Sequence, residues 1–345
     1  MRPVVALVLC ASLTACFPSI DREAWKHNDG QVEGDASLDD APPPLPDADP
    51  GGCRWRAVTS PTDLDLRAVW GPAPNDVWAA GEEGALLHYD GTAWSKVSAP
   101  TDKDLSGVAG AGQDVWVVGD DGTVLRRSGG SWSSATTGSA DLHGVWVGSS
   151  GVWAVGDLGT IRRNDGTGWS AESSTTLNFL YGIWGPAETE LWAVGYLIRV
   201  RYDGTSWTKD SSLTASMWRD VHGLASGEIW AVGHCAGGKP KSCNSYVIRR
   251  TATGWSSQLS TGGKRLKKLW MREASDGWVV GEACCDNQNC SCGSVYRFDG
   301  TDWGGASLPK DTEPLNGVWG FAECDIWAVG EEGTILHRSD EPPGS

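Results

Sequence analysis

One motif returns seven times along this chain of 345 residues: an apolar run, Trp-Ala-Val-Gly or a variant, a tight turn, and Asp-Gly-Thr-x-Trp or a variant. Its reference tryptophans are Trp78, Trp116, Trp153, Trp192, Trp230, Trp278 and Trp327, at intervals of 38, 37, 39, 38, 48 and 49 residues. A repeat of about 40 residues built from short strands signals propeller blades, because one such sheet cannot bury its own faces and must stack on its neighbours. The two long intervals carry cysteine-rich extra residues, His234–Ser245 and Ala283–Gly293.

Each copy reads as four strands. In the first these are Leu66–Gly71, Asp76–Gly81, Ala85–Tyr89 and Ala93–Val97, separated at the last two turns by Glu82-Glu83-Gly84 and Asp90-Gly91. Asp-Gly pairs supply the positive φ that tight hairpins need. No stretch carries a sustained helical apolar period, so no helix is expected. The seventh copy lacks a fourth strand, and a spare Gly-x-x-Trp segment lies at residues 51–59. The expected fold is therefore all-β: a seven-bladed propeller of four-stranded antiparallel blades over residues 51–340, its ring closed by the N-terminal strand. Closure removes the sheet edges that invite aggregation.

Of the 21 tryptophans only Trp25 lies outside the repeat. One set lies in the second strands, and another, from Trp55 and Trp94 to Trp303, in the outer strands. A third ends the first strand in five copies, at Trp70, Trp146, Trp184, Trp270 and Trp319, with Ala109 and His222 in the other two. Blades packed on both faces ask for such recurring aromatics, so these residues are read as core rather than as a carbohydrate platform.

Ahead of the repeats, Met1-Arg2 and the apolar run Val4–Ala11 form an export signal too short to span a bilayer. Leu13-Thr14-Ala15-Cys16 resembles the bacterial lipoprotein signal, which implies cleavage before Cys16 and lipid on its thiol, with outer-membrane anchoring favoured by Phe17. Ordinary cleavage after Ala15 is the alternative. Residues 16–50 are rich in Asp, Pro and Ala and read as a disordered tether, and residues 341–345 as a disordered tail. A net charge of −16 argues against a nucleic-acid partner.

Eight cysteines remain besides Cys10 and Cys16, and an even number in an exported chain reads as disulfides. Cys53 and Cys324 both fall in the seventh blade and are expected to pair. Cys235 and Cys243 flank one insertion and are expected to pair as well. Cys284, Cys285, Cys290 and Cys292 should form two more bridges, or, in the alternative reading, a thiolate metal site near Asp286.

The connection between blades five and six holds Lys264, Arg265, Lys267 and Lys268, and the fifth-blade insertion adds Lys239 and Lys241. This basic cluster in an acidic chain is the candidate ligand site, suited to an anionic glycan or another envelope protein. Elsewhere on that face the turns are acidic, as at Glu82, Glu83, Asp120, Asp121, Asp157, Glu331 and Glu332. Solvated loop charge and turn formation are the plainer explanations of both.

The pattern Trp-Ala-Val-Gly, Gly-Thr-Ile-Leu, Asp-Gly-Thr-x-Trp resembles the repeats of bacterial lipoprotein β-propellers, loosely related to BNR/Asp-box and sialidase-like propellers. The resemblance covers residues 51–340 and implies a fold, not an activity. In the Asp box one residue separates Asp from Gly, whereas Asp90-Gly91 are adjacent. No sialidase set of arginines, tyrosine and carboxylates can be placed. The histidines, among them His88, His143, His222, His234 and His337, form no recognisable nucleophile motif. The expectation is a surface-tethered, monomeric binding module for protein or glycan, without cofactor. The alternative is a carbohydrate-active hydrolase or lyase, which would need two carboxylates converging at the channel mouth about 5–10 Å apart.

Overall fold

A computed structural model describes residues 52–210, 216–235, 244–252, 254–284 and 290–340. These residues form seven four-stranded antiparallel sheets. In the first blade the strands run from the axis outward as Leu66–Ala73, Asp76–Gly81, Leu86–Tyr89 and Trp94–Lys96. The six blades that follow repeat this order, and their inner strands touch in sequence around a closed circle. The described residues contain only short 3₁₀ turns besides the strands, as the missing helical period requires.

The seventh blade is a composite. Its outer strand, Arg54–Ala57, pairs antiparallel with Ile335–Ser339, placing Trp55 opposite Arg338. The Cys53–Cys324 disulfide forms as expected, across a Cα separation of 5.4 Å and 271 residues of chain. A covalent clasp over so long a loop restricts the unfolded chain strongly, by about 2–5 kcal/mol in free energy.

Seven tryptophan pairs hold the blades together. The outer-strand Trp of each blade meets the second-strand Trp of the preceding blade edge to face: Trp94 on Trp327, Trp132 on Trp78, and so around to Trp55 on Trp278. All seven pairs have centroids 5.3–6.1 Å apart and interplanar angles of 71–87°. Edge-to-face rings place the positive rim of one on the negative face of the other, adding about 0.5–1.5 kcal/mol beyond area burial.

The opposite face of each second-strand Trp is covered from the third strand. Its cross-strand partner is His88, Arg126, Arg163, Arg201, Arg249, Arg297 or His337. The two imidazoles stack at 4.1 and 3.9 Å, and the five guanidiniums lie 5.0–5.9 Å from their ring centroids. In six blades an acid at the start of the second strand fixes this cation or imidazole, as Asp76 fixes His88 at 2.9 Å and Asp325 fixes His337 at 2.8 Å. His88 and His337 are thus packing residues.

The two recurring glycines have different causes. Gly81, Gly119, Gly156, Gly195 and Gly330 end their second strands against the carbonyl of a residue preceding the inner strand, where a Cβ would collide. Gly91, Gly166, Gly204 and Gly300 hold φ between +94° and +97° in the outer hairpins. There the preceding Asp accepts from the turn: Asp90 Oδ1 takes Thr92 Oγ1–H at 2.6 Å and two backbone N–H groups, which holds its carboxyl down at about 2.

Candidate functional site

The inner strands line an axial channel that differs at its two ends. Toward the turns that join first and second strands, Trp70, Trp146, Trp184, His222 and Trp319 crowd the axis around a cavity of about 230 Å³. Trp319 lies 6.2 Å from Trp70, Trp270 and His222, so aromatic rings reach across this end and plug it. Two residues before each of these positions the chain is small, with Ala68, Gly107, Gly144, Gly182 and Gly317, because neighbouring inner strands come too close for more.

Blades five and six break that rule together. Their equivalents are Asp220 and Lys268, joined at 3.2 Å, with the Leu269 N–H donating to Asp220 Oδ2 at 3.1 Å. Burial pushes the Asp220 carboxyl up, opposed by Lys268. His222, whose Nδ1 accepts the Met271 N–H at 3.1 Å, is pushed down to about 3 by burial and by the Lys268 charge.

The other end opens on the face that carries the second-to-third-strand turns and the blade-to-blade connections. Here a cavity of about 400 Å³ is rimmed by one residue from each blade: Arg67, Ser106, His143, Tyr181, Arg219, Lys267 and Asn316. Each stands three residues before the plug position of its own inner strand. Six side-chain types occupy seven equivalent positions, and none is an acid.

Acids stand behind this ring instead. Glu82 and Asp104 both accept from Arg67 Nη2, each at 2.8 Å. Asp157 meets Nε2 of His143 at 2.7 Å. Lys267 reaches Asn316 Oδ1 at 2.9 Å, Glu282 at 3.2 Å and Glu331 at 3.5 Å. Carboxylates therefore do converge at the mouth, in two pairs, but each pair accepts from a shared cation: Glu82 and Asp104 from Arg67, Glu282 and Glu331 from Lys267. Ser106 Oγ faces Arg67 Nη1 at 3.5 Å, while His143 Nε2 is held by Asp157.

Arg219 is the exception in the ring. Its guanidinium lies 4.8 Å from the Tyr181 ring centroid, and no carboxylate among the described residues bridges it. Burial pulls its pKa down, with Tyr181 and Glu282 acting the other way from a distance.

The expected basic cluster is placed differently from its sequence reading. Lys264, Arg265, Lys267 and Lys268 belong to an inner strand, Lys264–Glu273, rather than to a connecting loop. The strand starts early because the insertion of the same blade lengthens its second strand to Cys284, giving Lys264 a partner in Ala283. Three of the four are neutralised: Arg265 by Glu282 at 3.1 Å, Lys267 by Glu282 and Glu331, and Lys268 by Asp220. Lys264 rests over the Tyr296 ring at 5.6 Å. Only Lys267 and Lys268 reach the mouth cavity. Lys239, Lys241, Cys16, Cys243 and Cys285 lie outside the described residues. Cys235 and Cys292 are disulfide-bonded, while the strand backbone pairs Cys284 with Cys290.

The mouth ring was within reach of the sequence. Aligning the copies on the plug position exposes a column that changes while its neighbours hold. The acids behind it were not, because Arg67–Asp104 and Lys267–Glu331 join different blades.

No family model matches the sequence, and no curated protein does. Solved structures share the fold. YCF48 bound to D1 peptide superposes with a TM-score of 0.66 at 15% identity, over 88% of this chain and 99% of that one. The WD40 β-propeller domain of Doa1 gives 0.66 at 11%, over 83% and 97%. The extracellular domain of a B. thetaiotaomicron one-component system gives 0.61 at 12%, over 83% of this chain and 40% of that one. At these identities the likeness is one of architecture: the chain is a seven-bladed β-propeller.

Proposed function

We propose that this propeller is a binding module for a protein partner and that it works through the ring at the open end of its channel. One observation carries the reading: seven equivalent positions hold six kinds of side chain at the rim of a cavity, within a framework whose interface Trp columns are uniform. Packing gives no reason for that variety, whereas recognition of one irregular partner does. The D1 peptide held by YCF48 lends support from a neighbour of the same architecture.

The reading extends to placement. Cys53 is clasped to Cys324 in the turn between first and second strands of the seventh blade, on the plugged side. The chain thus enters the ring at the pole opposite the mouth. Lipid on Cys16 would tether the module to a membrane, and the extracellular placement of the B. thetaiotaomicron domain supports an exported role. Among the described residues no helix is long and apolar enough to cross a membrane.

The test is a random-peptide display selection against the full chain, with a glycan array alongside. Selected peptides should lose binding to a variant with Arg67, His143, Arg219 and Lys267 all changed to Ala, and keep it when Arg126 on the far side is changed. Ligands found only among acidic glycans, or peptides indifferent to the ring, would replace this reading. Membrane fractionation of Cys16→Ser tests the tether, whose loss should release the protein.

A further inference from the structure

The described residues expose three large apolar side chains: Leu158 at 65%, Leu177 at 79% and Phe179 at 40%. All three fall in one sector of the mouth face, at the junction of the third and fourth blades. Leu158 sits in a second-to-third-strand turn, and Leu177 and Phe179 lie in the connection beside it, where the Thr176 carbonyl packs on Gly159.

The repeat shows what has been replaced. The equivalents of Leu158 are Glu83, Asp121 and Glu332, each in the left-handed region, with φ between 51° and 54°. The equivalents of Phe179 are Asp65, Asp104 and Asp141. At three other junctions that Asp accepts the N–H of the turn residue: Glu83 on Asp104 at 2.9 Å, Asp121 on Asp141 at 2.8 Å, and Glu332 on Asp65 at 2.9 Å. Phe179 cannot accept, so this junction has given up a strap. Leu177 likewise stands where the first and second blades carry Asp63 and Asp102. Three positions that carry acids in other copies are apolar together here, at the cost of one hydrogen-bonded strap and without burial in return. Leu158 also keeps a backbone conformation that disfavours its side chain.

Next along the chain is Tyr181 of the mouth ring, and stacked on it is Arg219, the ring cation that no carboxylate bridges. We infer that this sector is a composite docking site for a protein segment that carries apolar side chains beside a carboxylate, the apolar group resting on Leu158, Leu177 and Phe179 and the carboxylate on Arg219. The inference rests on the protein-binding reading above and names its specificity. Charge complementarity selects this occupant. A cation already stacked and partly desolvated gains most from an anion that completes its fork, and no carboxylate among the described residues competes for it as Glu82 and Asp104 do for Arg67. Among the described residues of the ring, the other two Arg and Lys cations, Arg67 and Lys267, are both bridged by carboxylates.

The experiment measures fluorescence anisotropy of the full chain with Gly/Ser peptides bearing a central Leu-Asp-Phe, Leu-Asn-Phe or Ser-Asp-Ser. Leu-Asp-Phe should bind about tenfold or more tightly than either control, the scale of one charge-assisted hydrogen-bonded contact. Arg219→Gln should erase the preference for Asp over Asn while leaving the Asn peptide unchanged, and Arg219→Lys should restore part of it. Leu177→Asp, at a position too exposed to disturb folding, should lower affinity for both Phe-containing peptides. Equal affinity for all three peptides, or equal losses from Arg219→Gln on the Asp and Asn peptides, overturns the inference. If display-selected peptides bind through the ring without this selectivity, only the specificity falls. If no peptide binds at all, the parent reading falls with it.

Discussion

The seven blade interfaces and the seven mouth positions both recur at a fixed offset in the repeat, yet one column holds Trp against Trp throughout and the other almost never repeats a residue. The interface column answers a packing problem with one good geometry, so every copy converges on it. The mouth column lines an open cavity, where no single side chain is favoured by the fold. The two columns lie on different strands, the Trp pairs on the second and outer strands and the mouth positions on the inner ones.

That contrast can be broken in order of size. Removing residues 52–58 takes away the outer strand, Trp55 and one half of the clasp; the domain should lose its cooperative melt, monitored by near-ultraviolet circular dichroism, and an unchanged midpoint would end the closed-ring account. Trp327→Ala should cost about 3–5 kcal/mol in urea unfolding, since Trp327 is 1% exposed and contacts Tyr89, Trp94 and His337. A comparable loss at a mouth position would erase the distinction drawn above.

His222 sharpens it through pH. In the unfolded chain its imidazole titrates near 6.5, and in the fold at about 3. Between these values the unfolded state binds more protons, so the contribution is full above pH about 6.5 and is lost as pH falls toward 3. His222→Gln should flatten the acid limb of a melting-temperature profile over that window. Asp220 acts in the opposite sense, its raised carboxyl stabilising less as pH rises through its folded value, so Asp220→Asn serves as the counter-control. The smallest effect belongs to Arg67→Ala. Its ion pairs are 31% exposed at the guanidinium, and stability should change by no more than about 1 kcal/mol, while peptide binding falls.

Most of the framework was legible because its determinants are local or periodic. Trp78 and its six equivalents count the blades, Trp55 betrays the displaced strand, and the composite blade brings Cys53 to Cys324. Charge state at the mouth was not legible. Lys267 and Lys268 read as free lysines until Glu282, Glu331 and Asp220 arrive from an extended hairpin and two adjacent blades. Arg219 gave no signal of its own, since its distinction lies in what its neighbours lack. The apolar trio was visible letter by letter, but its meaning depends on the Asp straps that only coordinates display.

The clasp at Cys53 has a mechanical consequence. Tension arriving through the residues ahead of it does not peel Arg54–Ala57 from the sheet edge one hydrogen bond at a time. It passes through the sulfur bridge into the turn at Cys324, between strands Leu315–Ala322 and Asp325–Gly330 deep in the blade. A tugged leash therefore loads the body of the wheel and spares the seam by which it was closed.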